Sequence, residues 1–288
     1  MPELPEVETI VNDLKLKITN KKIAAVDVRL FKIIKSSKAD FRQILVNNFF
    51  TDIFRRGKFL VFKLAKGKKY LLIHLRMTGQ LIYRQKHQII AGGHSLTRAN
   101  LKKLPNKHSH VIISFTKGAE LFFNDARQFG IMEIVKAENL TKRFSHLGIE
   151  PLSKKFTLAV LQKLLQHKTN NIKAFLLNQN YVVGIGNIYA DEILFAAQIL
   201  PSRKSAGLKA TEIQKIFRAI KIILKKAIEY RGTTFNDYVD AYGRQGNFIK
   251  KLKVYQREKK NCLRCKKGVI QKTRLAGRGT RFCKICQK

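Results

Sequence analysis

The chain has 288 residues, 45% of them hydrophobic, with 58 Lys+Arg against 19 Asp+Glu for a formal net charge of +39. That apolar content suffices for two domains of ordinary size and excludes a disordered polyelectrolyte. A basic excess spread along the whole chain points to a polyanionic partner, nucleic acid before anionic membrane.

The run Met1-Pro2-Glu3-Leu4-Pro5-Glu6-Val7-Glu8-Thr9 opens on acids, unlike a signal peptide. Removing Met1 would leave a secondary amine at Pro2, with carboxylates at Glu3 and Glu6 nearby. A terminal amine titrates near about 8, a lysine near about 10.4, so far more of the former is unprotonated at neutral pH. The adduct of a secondary amine with an aldehyde-like carbon is a cationic iminium, an electron sink. On these residues alone a second reading stands: Pro2 and Pro5 simply start a helix.

Val7, Ile10, Val11, Leu14 and Ile18 recur at three-to-four spacing and predict an amphipathic helix over 4–18. Short apolar runs follow to about residue 136, among them Ile23–Leu30, Phe59–Leu64, Tyr70–Leu75, Val111–Phe115 and Leu121–Phe123, as in a β-sandwich or barrel. Residues 84–110, with Gly92-Gly93 and Pro105, read as a long exposed loop. Gly148-Ile149-Glu150-Pro151 then breaks the strand pattern, and helices are predicted over 157–167, 172–178, 187–197 and 210–229. The first glycines of Val183-Gly184-Ile185-Gly186-Asn187 precede one of these helices, with Asn187 as its expected cap and a phosphate-attracting turn of N–H groups. The polar stretch 231–247 carries little strand or helix signal. No run approaches about 18 consecutive apolar residues, so no transmembrane helix is expected.

The four cysteines form two Cys-x-x-Cys knuckles, Cys262/Cys265 and Cys283/Cys286. Their spacing predicts one structural zinc in a four-thiolate ribbon, with a hairpin about Gly277-Arg278-Gly279 and Arg274, Arg278 and Arg281 projecting from it. A closed four-thiolate site leaves no position for a catalytic water.

The Pro-Glu-Leu-Pro-Glu start, the Gly-Ile-Gly-Asn-Ile-Tyr-Ala-Asp-Glu segment and the terminal four-cysteine finger occur together in that order. From residue 2 to 288 the chain resembles the bacterial formamidopyrimidine-DNA glycosylases, which are 8-oxoguanine DNA glycosylases and abasic-site lyases. The resemblance implies an α+β fold: an N-terminal β-sandwich with a catalytic N-terminal helix at 1–139 and a linker at 140–155. A helix-two-turns-helix domain at 156–256 and a zinc finger at 257–288 would complete it. DNA would run through a positive cleft between the domains.

By that resemblance Pro2 attacks C1′ of the damaged nucleotide, Glu3 protonates the sugar ring oxygen, Glu6 supports the site and Lys58 of Arg55-Arg56-Gly57-Lys58 assists near the lesion. His74-Leu75-Arg76-Met77-Thr78-Gly79 and Asn124-Asp125-Ala126-Arg127-Gln128-Phe129-Gly130 match loops that fill the gap left by an extruded base. Met77 and Phe129 would enter the stack and Arg127 face the orphaned cytosine. The alternative for Met77 and Phe129 is core packing. Asn187, Tyr255 and Arg278 carry over as phosphate contacts and Lys173 as a weaker one; 231–247 aligns with the loop closing over the flipped base. The chain departs from the family pattern at Arg76, Ser109, Ala126, Gln128 and the 256–261 approach to the finger. The resemblance implies double-stranded damaged DNA as partner, a monomer, and a cytoplasmic, nucleoid-associated enzyme. Two rivals are an endonuclease VIII-like glycosylase for oxidised pyrimidines, against which Leu4 argues, and a non-catalytic zinc-ribbon protein, which leaves the Pro2 terminus without a role.

Overall fold

The computed structural model describes residues 1–86, 88–93, 103–233 and 247–288. The chain divides into two compact units, Met1–Ser145 with Tyr230–Ile249, and His146–Glu229 with Lys250–Lys288.

The first unit is a sandwich with a helix at its start. Helix α1 (Leu4–Ile18) coincides with the predicted span and buries the predicted stripe, while Leu16 on its other side is 80% exposed. The strands are β1 (Ile23–Val28), β2 (Phe50–Arg56), β3 (Phe59–Leu64), β4 (Lys69–His74), β5 (Gly79–Gln85), β6 (Gln88–Gly93), β7 (Ser109–Phe115), β8 (Glu120–Asp125) and β9 (Ile131–Lys136). They form antiparallel sheets of order β1-β7-β8-β5-β6 and β2-β3-β4-β9. One apolar core unites both sheets and the inner face of α1, as alternation along each strand requires. Helices α2 (Lys38–Leu45) and α3 (Ala137–Arg143) complete the unit.

The segment 84–110, expected as an exposed loop, instead contains β6, which pairs with β5 from Gln80↔Gly93 to Gln85↔Gln88. Gly92-Gly93 misled because glycines commonly mark turns. Here Gly92 lets α1 approach: a Cβ on it would lie 2.3 Å from Ile10 Cγ1. Gly92→Ala should therefore destabilise the unit by about 1–3 kcal/mol, the usual range for overpacking. In an Ile10→Ala background, which lacks Cγ1, the added cost of Gly92→Ala should shrink, both read from denaturant midpoints.

The second unit carries helices α4 (Leu158–Leu165), α5 (Ile172–Leu177), α6 (Asn187–Ala197) and α7 (Ala210–Glu229), then the antiparallel hairpin β10 (Ile270–Leu275) and β11 (Arg278–Cys283). Thr157 and Asn171 cap α4 and α5 through their side chains. The observed division differs from the expected segmentation in placing Tyr230–Ile249 with the first unit. The expected linker also overlaps α3, whose Arg143 pairs with Glu133 of β9 at 2.8 Å. Helix α6 starts at Asn187 with Gly186 as its cap, a correction to the expected Asn187 cap.

Candidate functional site

The start of α1 is built from carboxylates. Glu3 caps the helix in an extended conformation, its side chain accepting the N–H of Glu6 while Glu6 Oε2 accepts the Glu3 N–H at 2.9 Å. Such a reciprocal box satisfies orphan donors and sets negative charge at the positive end of the helix. Glu6 Oε1 takes two more donors, the Thr233 N–H at 2.8 Å and its hydroxyl at 3.0 Å. Gly232 makes this approach with φ +80°, and a Cβ there would sit 2.7 Å from Glu6 Oε1. Next to it, Arg231 pairs with Asp13 of α1 at 2.5 Å. Pro2, Glu3 and Glu6 are buried, and Met1 ahead of them is half exposed. Most of the 231–247 loop lies outside the described residues.

The β2–β3 hairpin is tied to the same helix. Arg55 donates from Nε to Glu8 at 2.7 Å and from Nη1 to the Gly57 carbonyl at 3.0 Å. The turn at Gly57, with φ +58°, leads into the buried Lys58. In the neighbouring strand His74 packs edge-on against Phe59 at 4.7 Å, and its Nδ1 accepts the Arg76 N–H at 2.9 Å. Burial, and then the charges of Arg76, Lys58 and Arg143, push His74 down to about 3, so the ring is neutral at pH 7. The unfolded chain takes up this proton below about 6.5 and the folded one does not, so stability should fall as pH drops from about 6.5 toward 3. At pH 5 the loss from this group is about 2 kcal/mol. Melting curves of His74→Gln should show a flatter decline between pH 7 and 5.

Met77 and Phe129, for which core packing was the alternative, are 41% and 50% exposed. The exposed Arg127 joins them: its Nη1 lies 3.2 Å from Met77 Sδ and its guanidinium 4.7 Å from the Phe129 ring centre. An apolar pair and a cation thus share one exposed cluster, anchored by the buried Asp125.

In the second unit the expected phosphate contacts fare unequally. Lys173 is fully buried: its ammonium pairs with Asp191 at 2.7 Å and donates to Thr280 Oγ1 at 2.8 Å and the Gly279 carbonyl at 3.1 Å. This corrects the expectation of a phosphate contact, because the desolvated charge is already compensated within the fold. Asn187 donates from Nδ2 to the same Gly279 carbonyl at 3.0 Å. Arg278 is exposed at the hairpin tip, as expected. Arg281 does not project; it lies 4.5 Å over the Tyr255 ring and pairs with Glu258 at 3.3 Å. Two acids that the sequence left without roles organise these groups. Asp191 accepts the Arg281 N–H at 3.0 Å, and buried Glu192 accepts the N–H groups of Lys253, Val254 and Tyr255 at 2.9–3.1 Å.

The four cysteine Sγ atoms lie within 4.8 Å of one another. Cys262–Cys286 and Cys265–Cys283 are 3.7 and 3.8 Å apart. Four sulfurs at about 2.3 Å from a tetrahedral centre are about 3.8 Å apart, so the cluster has the size a bound metal requires. N–H groups of Arg264 and Gly268 donate to Cys262 and Cys265 Sγ at 3.4 and 3.3 Å, and the latter bond holds the Cys265 thiol down to about 6. A Cβ at Gly268 would lie 2.8 Å from Cys283 Sγ. These residues can bind a metal. Behind them, Phe195 of α6 packs with Val254, Cys262, Ile270 and Cys283, and Arg264 donates to the Phe195 carbonyl at 2.8 Å.

Residues 1–132 match the family model of the formamidopyrimidine-DNA glycosylase N-terminal domain, and residues 147–239 that of the formamidopyrimidine-DNA glycosylase H2TH domain. The chain belongs to the formamidopyrimidine-DNA glycosylase family. A formamidopyrimidine-DNA glycosylase from Carboxydothermus hydrogenoformans is 43% identical over all of both chains. A Lactococcus lactis FPG mutant in complex with Fapy-dG containing DNA superposes with a TM-score of 0.89, at 31% identity over all of both chains. The Lactococcus lactis enzyme in complex with an abasic site containing DNA gives 0.88 at 32% identity, covering 99% of each.

Within this family fold the chain brings Pro2, Glu3 and Glu6 together at one helix end, and Met77, Arg127 and Phe129 in one cluster. His74, Asp125, Asp191 and Glu192 are the site-shaping residues that sequence reasoning missed. The last two stood in the Gly-Ile-Gly-Asn-Ile-Tyr-Ala-Asp-Glu segment, a pair of acids midway along a largely apolar helix.

Proposed function

We propose that the chain is a bifunctional DNA glycosylase and abasic-site lyase of base excision repair that removes oxidised purines, 8-oxoguanine and formamidopyrimidines, from double-stranded DNA. The observation that carries this reading is the buried Glu3–Glu6 box immediately behind Pro2. Loss of the half-exposed Met1 frees the Pro2 nitrogen. Its lone pair forms a bond to C1′ as the C1′–base bond breaks; the base departs with that electron pair and takes up the proton that the Pro2 nitrogen sheds on becoming a tertiary amine. Glu3, held in place by its own capping bond, gives a proton to the ring oxygen O4′ as the C1′–O4′ bond opens to the iminium. The iminium acidifies the C2′ proton; its loss expels the 3′ phosphate, and loss of the C4′ proton then expels the 5′ phosphate. Water releases the sugar remnant and regenerates the amine.

Glu6 fixes Glu3 through its N–H, and Lys58 supplies positive charge beside the phosphates. Met77 and Phe129 fill the emptied stack. Arg127, an obligate donor, meets the acceptors of the orphaned cytosine. Asn187, Tyr255 and Arg278 bind phosphates. One structural zinc, held by Cys262, Cys265, Cys283 and Cys286, fixes the finger that carries Arg278. The enzyme acts as a monomer in the cytoplasm at the nucleoid; among the described residues no helix is long and apolar enough to cross a membrane.

Excision from duplexes with 8-oxoguanine opposite cytosine, compared with duplexes carrying thymine glycol, tests the substrate class. The purine lesion should be the better substrate by kcat/KM, and a preference for thymine glycol would place the chain with the oxidised-pyrimidine branch.

A further inference from the structure

Asp125 ends β8 as a fully buried carboxylate that takes no part in the chemistry above. Its donors come from the two loops bearing Met77, Arg127 and Phe129. Oδ2 accepts the Gly130 N–H at 2.7 Å, while Oδ1 accepts the Arg127 N–H at 3.2 Å and the Thr78 hydroxyl. Thr78 Oγ1 accepts the same Arg127 N–H at 3.1 Å, so the backbone donor of the proposed reading residue itself is shared across both loops. The backbone of Asp125 is itself fixed, its carbonyl bonded to His110 Nε2 at 2.7 Å.

These loops hold two residues, Arg76 and Gln128, at φ +52° and +59°. L side chains seldom adopt that conformation, and it persists only where surrounding bonds over-determine it. A buried carboxylate accepting several donors in low dielectric supplies such bonds, stronger than neutral ones. Above this anchor Met77 and Arg127 are exposed and meet through Nη1 and Sδ, and the bonds that fix their loops come from below.

We infer that Asp125, together with Thr78, is a positioning residue that holds Met77 and Arg127 as one wedge and thereby sets discrimination of the base opposite the lesion. This rests on the proposed role of Arg127 at the orphaned base. In Asp125→Asn, an amide N–H faces donors where an oxygen accepted them, so the two loops lose their common anchor. Thr78→Val removes the hydroxyl link and keeps the carboxylate.

The experiment compares four quantities in wild type, Asp125→Asn, Thr78→Val, Arg127→Ala and Asp125→Asn/Arg127→Ala. They are kcat/KM for 8-oxoguanine opposite cytosine, kcat/KM for the same lesion opposite adenine, cleavage of a preformed abasic site in single-stranded DNA, and the melting temperature. The single strand has no opposite base, so its cleavage reports the catalytic centre alone. Asp125→Asn should lower the cytosine-to-adenine preference about tenfold or more, the scale of a misplaced contact group, and leave single-strand cleavage within about twofold. Thr78→Val should move the preference in the same direction by less. The double variant should be no less selective than Arg127→Ala alone. Intact selectivity in Asp125→Asn, while Arg127→Ala loses it, would overturn the inference. Intact selectivity in Arg127→Ala would instead remove the reading of Arg127 on which it rests. Should Asp125→Asn fail to fold, the Thr78→Val preference decides: an unchanged ratio overturns the inference.

Discussion

Borohydride reduction of the protein on a duplex carrying 8-oxoguanine opposite cytosine should yield one covalent protein–DNA adduct, with the sugar joined to the nitrogen of Pro2. The iminium is the reducible species, and it requires a terminal amine with a free lone pair. In a preparation retaining Met1 the Pro2 nitrogen is an amide, so neither adduct nor strand cleavage should form. Glu3→Gln keeps an acceptor for the Glu6 N–H but has no proton to give the sugar oxygen. Its excision should fall by about 10²–10⁴-fold, the span of general acid–base contributions, with binding of the lesion duplex retained. Peptide mapping of the adduct provides the check. Attachment at Lys58, or normal cleavage by the Met1-retaining form, would end the assignment of Pro2 as nucleophile.

The second large effect concerns the cysteines. Metal analysis should find one zinc per chain, and Cys283→Ser should lose it. In small fingers the metal contributes about 10–16 kcal/mol of apparent binding free energy that is also folding free energy. The hairpin β10–β11 has little else of its own: only Ile270, Thr280 and Cys283 are buried, while Gln271, Lys272, Thr273, Arg274 and Arg278 face outward. Metal loss should therefore release Arg278 from its position and cut affinity for lesion duplex more than about tenfold, together with a shallower salt dependence because fewer phosphates are neutralised. Fluorescence anisotropy at several salt concentrations measures both. Unchanged zinc content in Cys283→Ser would falsify the four-thiolate site.

Periodic features were legible in the sequence, and single buried polar groups were not. The stripe from Val7 to Ile18 gave α1 its bounds because a helix repeats its apolar face every three to four residues. The cysteine knuckles were equally plain, since metal geometry dictates their spacing. β6 was hidden because Gly92 serves a distant side chain, Ile10, and glycine carries the same letter whether it turns the chain or admits a neighbour. Lys173 was expected as a weaker phosphate contact, because the resemblance carries a residue type over and not its burial. Only the fold shows Asp191 and the Gly279 carbonyl closing around its ammonium. Asp125 and Glu192 escaped for the same reason: their donors are backbone N–H groups, which every sequence possesses and none advertises.

The bonds running from Lys173, Asn187, Asp191 and Glu192 to residues 253–281 bear on how this module can be inherited or engineered. Grafting residues 257–288 onto another scaffold would transfer the cysteines but abandon the Phe195 lid over them and the acids that aim the hairpin. The transplantable unit is α5, α6 and the finger together, so recombination that separates them should yield a domain that still loads metal yet no longer points its arginine anywhere in particular.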